Sequence, residues 1–313
     1  MRTSFTELMG IEYPVIQGAM AWISDAVLAA AVSEAGGMGM IATAGRDAQW
    51  TRKEIVKARE RTQKPFGVNL VLQEQDWREK LQVVLEEKPA CVSTGAGNPV
   101  PLIAPLHEAG IKVLPLVPNV RLAKRVESAG ADALIIEGME AGGHIGSIST
   151  MSLMTQVLPE IQIPGIIAGG IADGRGLACA LLMGAGGVQM GTRFYASKEC
   201  GAHIRAKEAI LAATDTDSVT TGRKGSLVRS LRNPLTELYH KMEAEGRAAE
   251  ELSQLVRGTS RKASVEGDVE WGLVQAGQSV GVIREILPVA KILNDMMEQA
   301  KEAYELLSGY FSE

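Results

Sequence analysis

Eight short apolar runs recur through the first 192 residues: 15–18, 38–42, 66–70, 91–95, 113–117, 133–137, 165–170 and 187–192. Most close on glycine or a small polar residue. Their starts lie about 25 residues apart, and each is too short for a helix and lacks strict polar alternation. Parallel strands buried on both faces read this way. Helical patterns fill the gaps. Residues 25–34 carry Val27, Leu28, Ala31 and Val32 on one side and stop at Gly36-Gly37, a helix-ending signal. Residues 77–87, 101–109, 120–129, 151–158 and 173–183 behave alike. Strand–helix repeats at this density predict an α/β fold, a TIM (β/α)8 barrel. A doubly wound sheet is the competing topology and usually has fewer strands.

The pattern changes near residue 200. Residues 203–213 predict a helix, 218–222 a short strand, and 233–256 two helices broken near Gly246. From Ala263 the chain is again punctuated by glycine, and a helix over about 288–307 closes it. This predicts a barrel built from 1–200 and 268–313, with 201–267 as a small capping insertion, a lid or substrate domain over the mouth.

Composition narrows the classes. A chain of 313 residues with 46% hydrophobic positions can bury the core of one large α/β domain. Its 4% aromatic content argues against an aromatic-rich interaction surface. A net charge of −5 argues against nucleic acid as a partner. No stretch of about 18 apolar residues is present, so no membrane span is expected. The N-terminal residues do not read as a signal peptide. Cys91, Cys179 and Cys200 form no C-x-x-C pair, which fits reduced, buried thiols in a cytoplasmic protein. The four histidines are widely spaced, so no metal site is expected.

Active sites of such barrels lie at the C-terminal ends of the strands, with phosphate commonly held after strands seven and eight. Gly169-Gly170 leaves the seventh run and leads to a helix at Asp173. Gly191-Thr192-Arg193 leaves the eighth. Glycine lets backbone N–H groups approach a phosphate, and the Thr192 hydroxyl adds a bond. Two such turns at the correct strands point to a phosphate-bearing cofactor. The sixth run opens a loop, 137–144, with three glycines, Glu137, Glu140 and His144. A histidine in a glycine-rich loop at the mouth suits general acid–base work. His107, His203 and His240 fall in helical patterns and read as structural.

Six segments in order resemble the flavin-dependent enoyl-acyl-carrier-protein reductases, enoyl-ACP reductase II, of the nitronate monooxygenase-like FMN barrel superfamily. They are 13–20, 64–69, 94–99, 137–144, 168–171 and 189–194. The likeness spans nearly the whole chain and extends to Gly267-Asp268-Val269 and Ala276-Gly277-Gln278. The resemblance implies FMN at the barrel mouth. Its phosphate would meet the amides of Gly169, Gly170, Gly191 and Thr192, and its ring would lie near Gly18, Ala19 and Met20. Asn69 and Glu137 would bond its polar edge or ribityl chain, Gly142 would admit the loop closely, and His144 would be the catalytic histidine. NADH or NADPH would be the co-substrate, an enoyl thioester on acyl carrier protein the substrate, and a homodimer the assembly.

Residues 222–241 hold Arg223, Lys224, Arg229, Arg232 and Lys241 against Glu237 alone. This segment could steer an acidic carrier protein, hold dinucleotide phosphates, or be a solvated face. Two departures from the family pattern stand out. Ala19 follows Gly18 where many relatives carry a second glycine, and the 223–229 loop lacks a histidine that some relatives have. Nitronate monooxygenase, with His144 as base and O₂ as oxidant, is the alternative activity. A barrel that senses a phosphorylated metabolite is a third reading.

Overall fold

The computed structural model describes residues 1–223 and 225–311. The strands, in chain order, are β1 (Val15–Gln17), β2 (Gly39–Ala42), β3 (Phe66–Val71), β4 (Cys91–Gly95), β5 (Lys112–Val117) and β6 (Leu134–Glu137). Then follow β7 (Gly143–His144), β8 (Gly165–Ala168), β9 (Gly187–Met190), β10 (Ser218–Thr221) and β11 (Val228–Leu231). Eight of them form one parallel sheet in the order β1-β9-β8-β6-β5-β4-β3-β2. The two ends meet: Gln17 N–H donates to Met38 O at 2.9 Å, and Met38 N–H to Val15 O at 2.9 Å. The sheet is thus a nearly closed barrel with helices between its strands, a TIM barrel of the α/β class.

Short polar side chains open the outer helices, each meeting an otherwise unpaired helical N–H. Asp25 accepts from Val27 and Leu28 N–H, Asp47 from Trp50, Asn119 from Leu122 and Asp173 from Gly176. Helix Ala48–Arg61 was not singled out by its hydrophobic pattern. Its inner face is Thr51, Glu54, Ile55 and Ala58, half of it polar. Glu54 is buried because its carboxylate accepts Ala26 N–H at 2.9 Å.

Inside the barrel, Ile16, Met38, Met40, Cys91, Leu114, Ala133, Ile135 and Ile166 pack as one cluster. Helix Ser4–Met9 closes the lower end by inserting Phe5 and Met9 into it. Helix Val289–Gly309 returns to pack on helix Gly174–Leu182. The approach needs glycine: a Cβ on Gly174 would fall 2.1 Å from Met296 O. No described helix is long and apolar enough to cross a membrane.

Residues 201–267 carry helix Ile204–Ala212, the antiparallel pair β10–β11, and helices Pro234–Ala244, Ala249–Val256 and Thr259–Glu266. β11 also pairs antiparallel with β7, joining Val228 to His144 and Arg229 to Gly143. Sequence had not foreseen this three-stranded sheet. It ties the 201–267 segment to the loop after β6.

Candidate active site

Side chains alternate along a strand, so residues two apart share the barrel interior. Above the packed cluster, the inward positions become Asn69, Ser93, Leu116, Glu137, Ala168 and Gln189, and a cavity of about 530 Å³ opens there. All eleven residues singled out from sequence line it: Gly18, Ala19, Met20, Asn69, Glu137, Gly142, His144, Gly169, Gly170, Gly191 and Thr192. Sequence reasoning missed Ser93 and Gln189. The inward alternation that leads to Gly95 and Gly191 was the available signal. It also missed Ser226, Ser260 and Ser264, by which the 201–267 segment forms part of the wall.

One end of the cavity is a cradle of backbone. Gly169 and Gly170 adopt φ of +92° and +77°, a region that favours glycine. A Cβ on Gly169 would lie 2.9 Å from Gly138 O and Ala141 N, so the turn can only pack this way as glycine. Among the described residues, nothing accepts from the N–H groups of Gly169, Gly170, Gly191 or Thr192. Such donors need a partner. Thr192 Oγ1 accepts from Gly277 N–H at 2.9 Å, and its own proton stays available to donate. No described lysine or arginine lines the cavity. This donor set fits a phosphate held by amides and a hydroxyl, as a flavin mononucleotide would require.

The wall beside this cradle is set by β1, which pairs with β9. Gln17, fully buried, donates to Gly18 O at 2.5 Å and to Ser24 Oγ at 2.9 Å, and accepts Met40 N–H at 3.0 Å. Ser24 Oγ in turn accepts Met20 N–H at 2.9 Å. The turn through Gly18, Ala19 and Met20 is therefore braced from behind. Gly18 offers little room for a side chain, since a Cβ there would stand 3.2 Å from Gln189 Cγ. Asn69 Nδ2 donates to Ser93 Oγ at 2.9 Å, leaving its carbonyl toward the cavity wall it lines.

The loop carrying His144 is held at four points. Glu140 accepts from Thr150 N–H at 2.7 Å and Thr150 Oγ1 at 2.6 Å. Gln278 N–H donates to Glu140 O at 2.9 Å. Gly142 packs so closely on Ala276 that a Cβ would meet its backbone at 2.8 Å. Arg229, buried on β11, donates from Nε to Met139 O at 3.0 Å. The His144 side chain is exposed at the cavity wall and hydrogen-bonds to no other described residue. Deeper in, Glu137 has no ion-pair partner among the described residues, and burial pushes its carboxyl up to about 8.

The structure corrects the reading of the basic segment. Arg229 is no surface charge: its guanidinium is spent on Met139 O and, at 3.3 Å, on Ser218 O. Arg223, Arg232 and Lys241 are exposed. Lys224 lies outside the described residues.

With the geometry in place, the comparisons define the class. The nitronate monooxygenase family pattern matches residues 2–79 and 71–299, and the chain belongs to this family. Among solved structures, FabK from Thermotoga maritima, an enoyl-ACP reductase II, is 47% identical, with a TM-score of 0.96 over 99% of each chain. The nitronate monooxygenase of Paraburkholderia phytofirmans is 33% identical over 97% of this chain and 96% of its own length. A (3aS,4S,5R,7aS)-5-hydroxy-7a-methyl-1-oxo-octahydro-1H-indene-4-carboxyl-CoA dehydrogenase of Rhodococcus jostii is 32% identical over 94% of each. Both the monooxygenase and FabK families are flavin enzymes, and this chain is an enzyme of their oxidoreductase superfamily.

Proposed function

We propose that this chain is an FMN-dependent enoyl-[acyl-carrier-protein] reductase that reduces the 2,3 double bond of trans-2-enoyl thioesters with NADH or NADPH. The observation that carries the flavin is the cradle of four N–H groups, unpaired among the described residues, in the cavity that His144 also lines. The higher identity to FabK than to the monooxygenase favours the enoyl reaction.

Bound FMN would supply the hydride chemistry, accepting hydride from the nicotinamide and delivering it to the β-carbon of the enoyl thioester. The chain's residues do the rest. Gly169, Gly170, Gly191 and Thr192 hold the phosphate end. Gly18, Ala19 and Met20 form the wall against the ring, and Asn69 and Glu137 meet its polar atoms. As hydride arrives, negative charge grows on the thioester oxygen and α-carbon. His144, whose imidazole hydrogen-bonds to no other described residue, donates a proton to that enolate or stabilises it. Its loop is clamped, so the backbone that carries the imidazole is held in place before substrate enters.

Acyl carrier protein is the proposed partner, with exposed Arg223 and Arg232 as candidate contacts. Replacing both by Ala should raise KM for carrier-bound substrate more than for a CoA analogue. Equal effects would assign them elsewhere. The family match supports one second reading, a nitronate monooxygenase with His144 as base. Anaerobic mixing separates the two: a reductase bleaches with NAD(P)H and recovers its colour with crotonyl thioester, whereas a monooxygenase is reduced by nitronate.

A further inference from the structure

Glu137 closes β6 and points into the barrel where the packed interior gives way to the cavity. Its interior neighbours are apolar: Ala168 in register on β8, and below it Ile135 on its own strand with Leu116, the partner of Ile135, on β5. No described residue hydrogen-bonds to its carboxyl, and no described lysine or arginine lines the cavity. The other titratable groups on that wall are Glu140, His144 and Tyr195. Glu140 is occupied by Thr150. Tyr195 shares a hydrogen bond with Ser264 at 2.9 Å. Behind the loop, Arg229 is turned to Met139 O and Ser218 O. The carboxyl therefore faces no cation among the described residues, and a flavin bound in the cavity would cover the side that the carboxyl turns to it.

An ionised carboxylate sealed in that position would be uncompensated, and the charge is costly to bury. A neutral acid costs far less, and it brings an O–H that must find an acceptor. Flavin offers acceptors in its ring carbonyls, ring nitrogens and ribityl oxygens; its N3–H and ribityl hydroxyls are neutral donors that bring no cation to offset a buried charge. We infer that Glu137 enters the flavin complex as the neutral acid and donates a hydrogen bond to an acceptor atom of the flavin. This rests on the reading of the cavity as a flavin site and adds what Glu137 does there. A carboxylate could only accept hydrogen bonds. Binding then becomes linked to a proton. Below the carboxyl's own pKa, raised by burial to about 8, the acid is already formed and affinity is level. Above it, each binding event takes up one proton, so affinity falls about tenfold per pH unit.

The test is a flavin titration of cofactor-stripped protein by fluorescence quenching, from about pH 7 to pH 9. FMN and riboflavin are run in parallel. The phosphate's second ionisation, with a pKa of about 6, is about nine-tenths complete by pH 7, so it contributes little slope in this range, and riboflavin contributes none. The wild type should weaken toward both flavins at the alkaline end. Glu137→Gln keeps a donor with no proton to lose, and it should bind at pH 7 within a few-fold of wild type with no slope. A level wild-type profile, or Glu137→Gln losing flavin at pH 7, would overturn the assignment. Should Glu137→Gln fail to fold, infrared difference spectra of the wild type decide the matter. A carboxylic acid carbonyl band in the flavin complex that shifts on ¹³C-glutamate labelling supports the neutral acid, and carboxylate bands alone reject it. Failure of both flavins to bind at any pH would instead sink the cavity reading itself.

Discussion

The lower and upper halves of the barrel interior are made by the same strands and do opposite things. Below, Ile16, Met40, Cys91, Leu114, Ile135 and Ile166 meet across the axis, and Phe5 plugs the end. One inward position further along, the chain supplies Gly18, Asn69, Ser93, Leu116, Glu137 and Ala168, and the interior opens into a cavity. A change from bulky apolar to mostly small or polar side chains turns packing into a site. Burial acts on both halves: it pushes the Cys91 thiol up to about 12, where it is inert, and the Glu137 carboxyl at the boundary up to about 8, within reach of ordinary pH.

The largest effect expected on this contrast is at the mouth. His144→Ala should lower enoyl reduction by roughly 10²–10⁴-fold while flavin stays bound, as read from turnover and absorbance. Full turnover would remove His144 from the chemistry. At the other end, Phe5→Ala should cost about 3–5 kcal/mol of stability in urea unfolding. The folded fraction should bind flavin as wild type does. A selective loss of flavin affinity would show that the halves are not independent. Smaller still, Gly170→Ala meets open space beyond Glu140 Cβ at 3.4 Å, so its penalty is the left-handed backbone. That penalty is about 1–2 kcal/mol. FMN affinity should drop by about tenfold and riboflavin affinity by less, because only FMN needs the amide at that turn. Equal losses would displace the phosphate from the Gly169–Gly170 cradle. The mildest prediction concerns thiols. Cys91 and Cys200 are buried and Cys179 is partly exposed, so a thiol reagent should label Cys179 alone in the native protein and all three in denaturant.

Much of the barrel was legible because parallel strands covered on both faces are written as uninterrupted apolar runs. All eight barrel strands fall within or beside the runs read from sequence. The glycine turns after β8 and β9 were legible too, since strand number alone says where a phosphate sits in such a barrel. Other features carried no local signal. β7 is two residues long and exists only through its pairing with β11 more than eighty residues away. Helix Ala48–Arg61 hid behind a buried carboxylate whose purpose is to cap a neighbouring helix. Arg229 was misread because a charge count ignores which way a strand side chain faces, and on β11 it faces the His144 loop.

The pairing of β7 with β11 also bears on how such a family could diversify. The imidazole-bearing backbone and the capping segment share a sheet, so one cannot be exchanged without recutting the other. A chimaera that imports a relative's cap to change substrate range would need to import the 138–145 loop with it. The unit to exchange in this molecule is thus the 201–267 segment together with the 138–145 loop, across a wide gap in the chain.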